Sequence, residues 1–337
     1  MAKSIHVVVL MTIACLFAGV VLAAERERSP VHDRFLLVLN GVNCGYLTSV
    51  EGGGIDAEVI EEANPSHYVK KHLGPVQYGE FSVQTGIGEF PLLNAWSELT
   101  TDGKQPRSDG ALVSADAKYA KQHSVEFQKA LITAITIPAC DASAKDSGLM
   151  TFSFMPEFTK RQRGGGEPVP KQPRPAKSWL RSDFILSIPG VDCRMISKID
   201  AITIKQGAVR AQAGQERDYQ LTPGKIDYPN LVVTLPDGAA ETWLAWHKEF
   251  VIEGKNDDSQ EKTGTLVFLS QNRKTVLLTL TFHHLGIFAV GDDDQGGKGG
   301  KAHRLQVKMY CERMTVDFHD DDGEGPKSPK ANGSLIP

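Results

Sequence analysis

The sequence predicts a mainly β protein built from two tandem domains, each with one short helix beside its strands. The first observation is a repeat: residues 34–44 (RFLLVLNGVNC) return in similar form as residues 183–193 (DFILSIPGVDC), 149 positions later. The second is a series of short apolar runs, several of which alternate with polar residues at the period of two that is typical of strands. The third is the length, because 337 residues suit two ordinary domains better than one.

The repeat continues downstream at nearly the same spacing. Five residues of the first copy match five of the second at an offset of 150: Tyr78, Phe81, Val83, Gly88 and Trp96 match Tyr228, Leu231, Val233, Gly238 and Trp246. Because one offset is kept over this whole stretch, the sequence predicts a duplication. We place the first domain at residues 25–158 and the second at residues 182–318.

Apolar runs bounded by turn residues predict the strands. They are residues 34–43, 55–60, 81–85, 124–127, 131–137 and 149–157 in the first copy, and residues 265–269, 276–282 and 305–312 in the second. Residues 291–300 (GDDDQGGKGG) lengthen the second copy and predict an exposed hairpin tip.

Each copy also contains one segment with helical spacing. Pro91 suits the first turn of a helix, and Leu92, Trp96 and Leu99 follow it on one face at positions i, i+4 and i+7. The second copy repeats the pattern with a face made of Trp243, Trp246, His247 and Phe250. At this spacing we expect the tryptophans in the core rather than on a ligand platform.

The N-terminus has the pattern of a secretory signal: a basic residue, an apolar run from Ile5 to Leu22, and small residues before a charged stretch. We predict a signal peptide at residues 1–24, cleaved after Ala23 or Ala24. The protein is then exported to the periplasm, the cell surface or the exterior, with no stable membrane span after cleavage. A retained anchor is the alternative, although the run is shorter than the roughly 20 residues of a spanning helix.

Two segments lack apolar periodicity. Residues 159–181 are rich in Gly, Pro and basic residues, which predicts a linker between the domains. Residues 319–337 are acidic and then rich in Pro, Gly and Ser, which predicts a disordered tail.

Removal of the signal leaves four cysteines, an even number that suits disulfides in an oxidising compartment. They are Cys44, Cys140, Cys193 and Cys311. The sequence does not choose among their three possible pairings. Because Cys44 and Cys193 occupy equivalent positions, the simplest pattern has one bridge in each copy, Cys44 to Cys140 and Cys193 to Cys311. Four buried free thiols are the alternative.

The sequence carries no common catalytic signature, and its net charge of −4 creates no global field for nucleic acid. His283 and His284 are neighbours in a strand-like run, so a shared metal ion would require a bulge. The acidic loops at 292–294 and 320–322 lack the spacing of a calcium loop. We therefore predict no catalytic residue, no cofactor, no metal site and no nucleic-acid partner, and hence no enzyme.

Several motifs of the first copy occur in a particular order. They are an opening strand at 35–41 (FLLVLNG), a basic loop at 69–74 (VKKHLG), Tyr78 followed by 81–83 (FSV), Trp96, and a closing strand at 150–157 (MTFSFMPE). In this order they resemble the phage tail tube family, which includes the type VI secretion tube protein known as haemolysin-coregulated protein. The likeness covers residues 34–158 well and residues 183–318 less well.

The resemblance implies two packed antiparallel sheets in each domain, a sandwich or nearly closed barrel with one flanking helix. It also implies a non-enzymatic protein that assembles into six-membered rings stacked as a tube. Since two such domains are joined in this chain, three chains would supply a pseudo-hexameric ring.

In that family the loop after the second strand reaches a neighbouring subunit. The resemblance therefore implies an assembly loop in the first copy, composed of Asn64, Tyr68, Lys70, Lys71, Leu73 and Gly74. The second copy keeps Leu221 and Gly224 in this region but lacks the paired lysines.

Together these features predict an exported structural protein that forms homo-oligomeric rings or tubes, with other envelope or injection-machine components as further partners. The alternative is a monomeric secreted β-sandwich module that binds a surface glycan or protein. Such a module would use the hairpin at residues 291–300 and the tryptophans.

Overall fold

A computed structural model of the protein describes residues 34–62, 68–87, 90–171, 179–212, 219–293 and 303–319. The predicted signal at 1–24, Asn64, residues 294–300 of the predicted hairpin tip, and the tail from residue 320 onward lie outside the described residues. No helix in the described part of the chain is long and apolar enough to cross a membrane.

In the first half of the chain, the described residues form eleven strands and one helix. They are β1 (Arg34–Leu39), β2 (Val42–Leu47), β3 (Ser49–Gly52), β4 (Ile55–Glu62), β5 (Lys70–Tyr78), β6 (Phe81–Thr85), α1 (Pro91–Thr101), β7 (Ser108–Ala115), β8 (Lys121–Ile137), β9 (Cys140–Asp141), β10 (Met150–Met155) and β11 (Phe158–Arg163). The helix begins at Pro91, as predicted, but the predicted face was wrong for Leu99, which is 36% exposed. The buried face contains Leu93, Trp96 and Thr100, because the helix is rotated so that Leu93 is buried more completely than Leu92.

In the second half, the described residues form eight strands and a second helix. They are β12 (Phe184–Ser187), β13 (Lys198–Ile199), β14 (Ile202–Gln212), β15 (Tyr219–Asp227), β16 (Leu231–Pro236), α2 (Glu241–His247), β17 (Lys262–Leu269), β18 (Val276–Asp292) and β19 (Arg304–Phe318). A 3-10 turn (Asp237–Ala239) precedes α2, and a π turn (Lys248–Ile252) continues it.

The strands pair in an antiparallel manner. A ten-stranded sheet has the order β2-β1-β7-β8-β10-β6-β3, with β11 and the β14–β15 hairpin joined to β8. A seven-stranded sheet has the order β12-β17-β18-β19-β16-β13-β9, and β4 and β5 form a sheet of their own. The fold is therefore mainly β with a nearly closed barrel sheet and, among the described residues, two short helices, which confirms the predicted fold class.

Strand order is the same in both halves. The neighbours β1, β7, β8, β10, β6 and β3 of the first half correspond to β12, β17, β18, β19, β16 and β13 of the second. Irregular positions also match: Lys129 within β8 has a φ of 48°, and His284 within β18 has a φ of 57°. A residue of one half can therefore be compared with its counterpart in the other.

Two predicted strand boundaries differ from the structure. Runs 124–127 and 131–137 belong to one strand, β8, because Lys129 adopts a positive φ and interrupts the alternation of buried and exposed residues without ending the pairing. The predicted strand 34–43 is a hairpin, in which Asn40 and Gly41, with φ of 48° and 79°, turn the chain from β1 into β2. Positive φ at both turn residues is typical of two-residue hairpins.

The segment predicted as a linker, residues 159–181, is partly built into the fold. Its first residues belong to β11, which pairs with β8. Near its end, the buried Trp179 lies edge-on to Phe268, with ring centroids 5.2 Å apart. The structure differs from the linker expectation here because β11 is an edge strand, and its exposed basic side chains hide the period of two.

One core joins the two halves. The described residues belong to one compact unit, and buried residues from both predicted domains belong to a single hydrophobic cluster. It includes Trp96, Trp179, Trp243 and Trp246, each no more than 6% exposed. The expectation that the helix tryptophans pack in the core is confirmed.

Candidate assembly surface

Two hairpins occupy matching positions in the two halves. We refer to β4 and β5, with residues 68 and 69, as the first arm, and to β14 and β15 as the second arm. The strands of the first arm pair with each other and with no other described strand. In the second arm, β14 also pairs with β8, so this arm extends the ten-stranded sheet. The same local structure is thus present in two different environments.

The first arm exposes a large share of apolar side chain. Its exposed large apolar residues are Ile55, Val59, Ile60, Tyr68, Val69 and Leu73. Leu73 is 68% exposed. Adjoining apolar side chains in water are unfavourable and mark interaction surfaces in soluble proteins. A two-stranded sheet by itself is also only marginally stable. The first arm therefore has the composition of an interaction surface.

Ion pairs connect the two strands of the first arm. Lys71 Nζ lies 3.0 Å from Glu61 Oε1, and Lys70 Nζ lies 3.3 Å from Glu62 Oε2. These residues are directly opposite each other in the ladder. All four side chains are more than half exposed, so each pair contributes little to stability and mainly favours the observed register.

The structure places most of the predicted assembly loop in this arm. Lys70, Lys71, Leu73 and Gly74 belong to β5, Tyr68 lies two residues before it, and Asn64 is outside the described residues. The prediction of a loop was wrong for the β5 residues. These residues are extended because β5 pairs with β4 on both sides of a register shift between Ala57 and Val59.

The second arm is buried where it meets the first half. Ile204 of β14 pairs with Ile135 of β8, and both side chains are at most 3% exposed. At the other end of the arm, Tyr219 and Leu221 belong to a small buried cluster with Tyr78 of the first half. The Tyr78 backbone N–H donates to the Tyr219 hydroxyl (3.1 Å). The second arm is therefore held by both sheet pairing and side-chain packing.

A polar cluster of the first half holds the backbone of the second arm. We refer to Arg107, Lys129 and Glu157 as the first cluster. Glu157 Oε1 accepts a hydrogen bond from the Leu221 backbone N–H (2.8 Å), and the Arg107 guanidinium donates to Glu157 and to the Leu221 carbonyl. Lys129 Nζ lies 3.5 Å from Glu157 Oε2. The buried carboxylate is thus compensated by two cations while both backbone groups of Leu221 are satisfied.

A second charged cluster lies in the second half. Glu261, His284 and Glu312, which we refer to as the second cluster, have ligand atoms within 4.8 Å of one another. Among the described residues, this is the group with the spacing to hold a metal ion, whereas the sequence predicted no metal site. Glu261 is already engaged, because one oxygen lies 2.8 Å from His284 Nδ1 and the other accepts a hydrogen bond from the Tyr310 hydroxyl (2.6 Å).

The two neighbouring histidines have different partners, as the strand geometry predicted. His283 Nε2 lies 3.4 Å from the Thr315 hydroxyl, while His284 contacts Glu261. The pKa of Tyr310 beside this carboxylate is raised, first by burial and then by its hydrogen bond to Glu261. Tyr310 therefore stays a hydrogen-bond donor at neutral pH.

The cysteines Cys44, Cys140, Cys193 and Cys311 are free in the structure, so the two predicted bridges are not formed in it. Cys44 lies in β2 and Cys140 in β9, and these strands belong to different sheets. Burial raises the pKa of Cys44 and of Cys311 to about 11, and that of Cys140 to about 12. These three thiols are therefore protonated at neutral pH, and the thiol is the less reactive form of cysteine.

The tryptophans do not form a ligand platform. All four lie in the core, and two indole N–H groups are bonded internally, Trp96 to the Pro106 carbonyl (2.9 Å) and Trp243 to the Asp192 carbonyl (3.0 Å). Stacking on a sugar requires an exposed ring face. This part of the glycan-binding alternative therefore has no support in the structure.

No protein-family model and no curated protein matches the sequence. Solved structures from contractile injection systems are similar to part of the chain. For a sheath–tube complex of an extracellular contractile injection system (PVC) in its extended state, the identity is 20% and the TM-score 0.35, with 41% of this chain and 94% of that chain covered. For the anti-feeding prophage cap, the identity is 13% and the TM-score 0.33, with 45% and 96% covered. Over less than half its length, the chain is thus similar to components of contractile injection systems.

Proposed function

We propose that this protein is an exported, non-enzymatic structural protein of tail-tube type that assembles with copies of itself into rings or tubes. The observation that carries the proposal is the first arm. It is a hairpin with exposed apolar side chains, while its counterpart, the second arm, is buried where it meets the first half. In the proposal another copy covers the first arm, as natural proteins commonly cover exposed strand edges.

The sequence motifs that resemble the tail tube family support the same function, and so does the mainly β fold with its nearly closed barrel sheet. The two tandem domains, at residues 25–158 and 182–318, make three copies sufficient for a pseudo-hexameric ring. Cleavage of residues 1–24 leaves the ring in the periplasm, at the cell surface or outside the cell. Other envelope or injection-machine components are its further partners.

Native mass spectrometry and negative-stain microscopy of the purified protein test this function. We expect species of three copies or multiples of three, seen as rings with a central opening. Leu73→Asp in the first arm should shift the protein towards the monomer. The matched control is Ile252→Asp, which places the same charge on an exposed apolar residue outside the arm and should assemble normally. A wild-type protein that stays monomeric at high concentration contradicts the proposal and favours the binding module.

A further inference from the structure

We infer that the second cluster and the adjoining end of β18 form the docking site for the first arm of another copy. The strands pair there in the same register as in the internal joint, which is the contact between the second arm and the first half of the same chain. This inference rests on the proposed self-assembly and specifies its contact. The partner is a second copy of this chain, because the chain already contains a joint of the same design.

The two arms have the same ladder irregularity at the same place. In the first arm the register shifts between Ala57 and Val59, and in the second it shifts between Gln206 and Ala208, 149 positions later. A shared irregularity aligns two hairpins more closely than sequence similarity does, since the register of every other pair follows from it.

This alignment assigns each residue of the first arm a counterpart. Ile55 takes the position of Ile204, and on the other strand Lys71 takes the position of Leu221. Ile204 is 3% exposed because it pairs with β8, whereas Ile55 is 54% exposed. At Ile55 the first arm therefore presents the same residue type that the second arm uses in its joint, without a strand among the described residues to cover it.

The second cluster occupies the positions of the first. Arg107 and Glu261 are counterparts because each directly precedes a matching strand, β7 or β17. Lys129 and His284 are counterparts because each has a positive φ within β8 or β18. Glu157 and Glu312 are counterparts because each lies three residues after the partner of the first residue of β6 or β16.

The accepting strand also has a counterpart with an open edge. At the end of β8, residues 134–136 pair with β10 on one side, and residues 134–137 pair with β14 on the other. The matching end of β18, residues 289–292, pairs with β19, and no second strand among the described residues pairs with it. Val290 stands at the position of Ile135. An antiparallel joint therefore sets Ile55 of one copy opposite Val290 of the next.

The two clusters carry different charges, and the arm residue that faces each cluster differs to match. In the internal joint the cluster supplies two cations, Arg107 and Lys129, and the arm supplies the uncharged Leu221. In the joint between copies the cluster supplies two carboxylates, and the arm supplies Lys71, which exchanges its exposed partner Glu61 for them. Opposite charges at an interface favour the correct partner and repel wrong ones. Glu312 also keeps the position from which Glu157 accepts the backbone N–H of the arm.

A disulfide trap tests the register. In the double variant Ile55→Cys with Val290→Cys, the new cysteines face each other between copies, and cross-strand Cα distances fall within the range of a disulfide. Mild oxidation should give a ladder of covalent oligomers on a non-reducing gel, and either single variant should not. Ile55→Cys with Leu244→Cys is the matched control, because Leu244 is exposed on α2 outside the joint and should give no ladder.

A charge exchange tests the cluster. Lys71→Glu should weaken association at least about tenfold, because it sets like charges against each other at the interface. Adding Glu312→Lys should restore association. Lys70→Glu is the matched control: Lys70 makes the same kind of ion pair within the arm but points to the opposite face of the strand. It should associate like the wild type.

The outcomes separate this inference from the proposed function. A wild type that assembles, together with a double cysteine variant that gives no ladder or a Lys71→Glu variant that behaves like Lys70→Glu, overturns the docking site and leaves self-assembly standing. A wild type that remains monomeric contradicts self-assembly itself.

Discussion

The two arms of this protein have the same hairpin register and opposite surroundings. The second arm is held by the first half through a buried strand pair and the first cluster, whereas the first arm exposes the matching residues. A hairpin that occurs twice can thus be stabilised within the chain in one copy and be left available in the other. The difference lies in what covers each arm, and substitutions at counterpart positions measure it.

Substitutions of the counterparts Ile204 and Ile55 should differ most in how much they lower the free energy of unfolding. Ile204→Ala should lower the free energy of unfolding by about 2–5 kcal/mol, because it removes buried methyl groups and leaves a cavity. Ile55→Ala should change it by less than about 0.5 kcal/mol in the monomer, since the side chain is exposed. Urea denaturation of both variants at low protein concentration checks this. Equal losses would mean that the two arms are covered alike.

Substitutions of Glu157 and Glu312 should differ less in how much they lower the free energy of unfolding. Glu157→Ala should cost about 1–3 kcal/mol, because the Leu221 N–H and the Arg107 guanidinium lose a buried acceptor. Glu312→Ala should cost less than about 0.5 kcal/mol in the monomer, since Glu312 is exposed. The same denaturation experiment measures both. Glu157→Gln, which keeps an acceptor oxygen, should lie between wild type and Glu157→Ala.

The buried thiol of Cys140 makes the free energy of unfolding depend on pH. The folded pKa of Cys140 is raised from 9.0 to about 12 by burial, so its stabilisation is fully present below the unfolded pKa and is lost as pH rises towards the folded value. The free energy of unfolding of the wild type should therefore fall above about pH 9. Cys140→Ala should show a shallower decline in denaturation series at pH 8, 9.5 and 10.5. An unchanged slope would show that Cys140 titrates alike in both states.

The smallest effect is expected within the first arm itself. Lys71→Ala should change the free energy of unfolding of the monomer by no more than about 0.5 kcal/mol, because the ion pair with Glu61 is exposed. Thermal unfolding at low and high salt measures this. A loss of several kcal/mol would show that the pair stabilises the fold, and the effect of Lys71→Glu on association would then need a folding control.

Sequence patterns predicted the elements that depend on neighbouring residues. Pro91 and the spacing of the tryptophans located α1 and the buried face of α2, and both were confirmed. The same patterns missed the strand character of β5, where charged and apolar residues do not alternate. They also missed the burial of Trp179, because a tryptophan inside a Pro-rich segment has no periodic neighbours.

The second cluster shows a different limit. Glu261 belongs to no motif, and its position becomes informative only as the counterpart of Arg107 in the repeat. A comparison of charges between the two copies could have suggested the exchange from sequence. It could not have shown that the three members lie within 4.8 Å of one another.

By itself, the sequence determined the strand-rich composition, the positions of the helices and the repeated pattern of residues, because each depends on spacing along one chain. The tertiary structure alone decided which arm is covered and which is exposed. It also decided which charges meet, because Arg107, Lys129 and Glu157 come from separate segments that only the sheet brings together. The physical reason is that the edge of a strand is covered by pairing with a segment distant in sequence. Residues 202–205 pair with the end of β8, whereas the described residues supply no such partner to the end of β18.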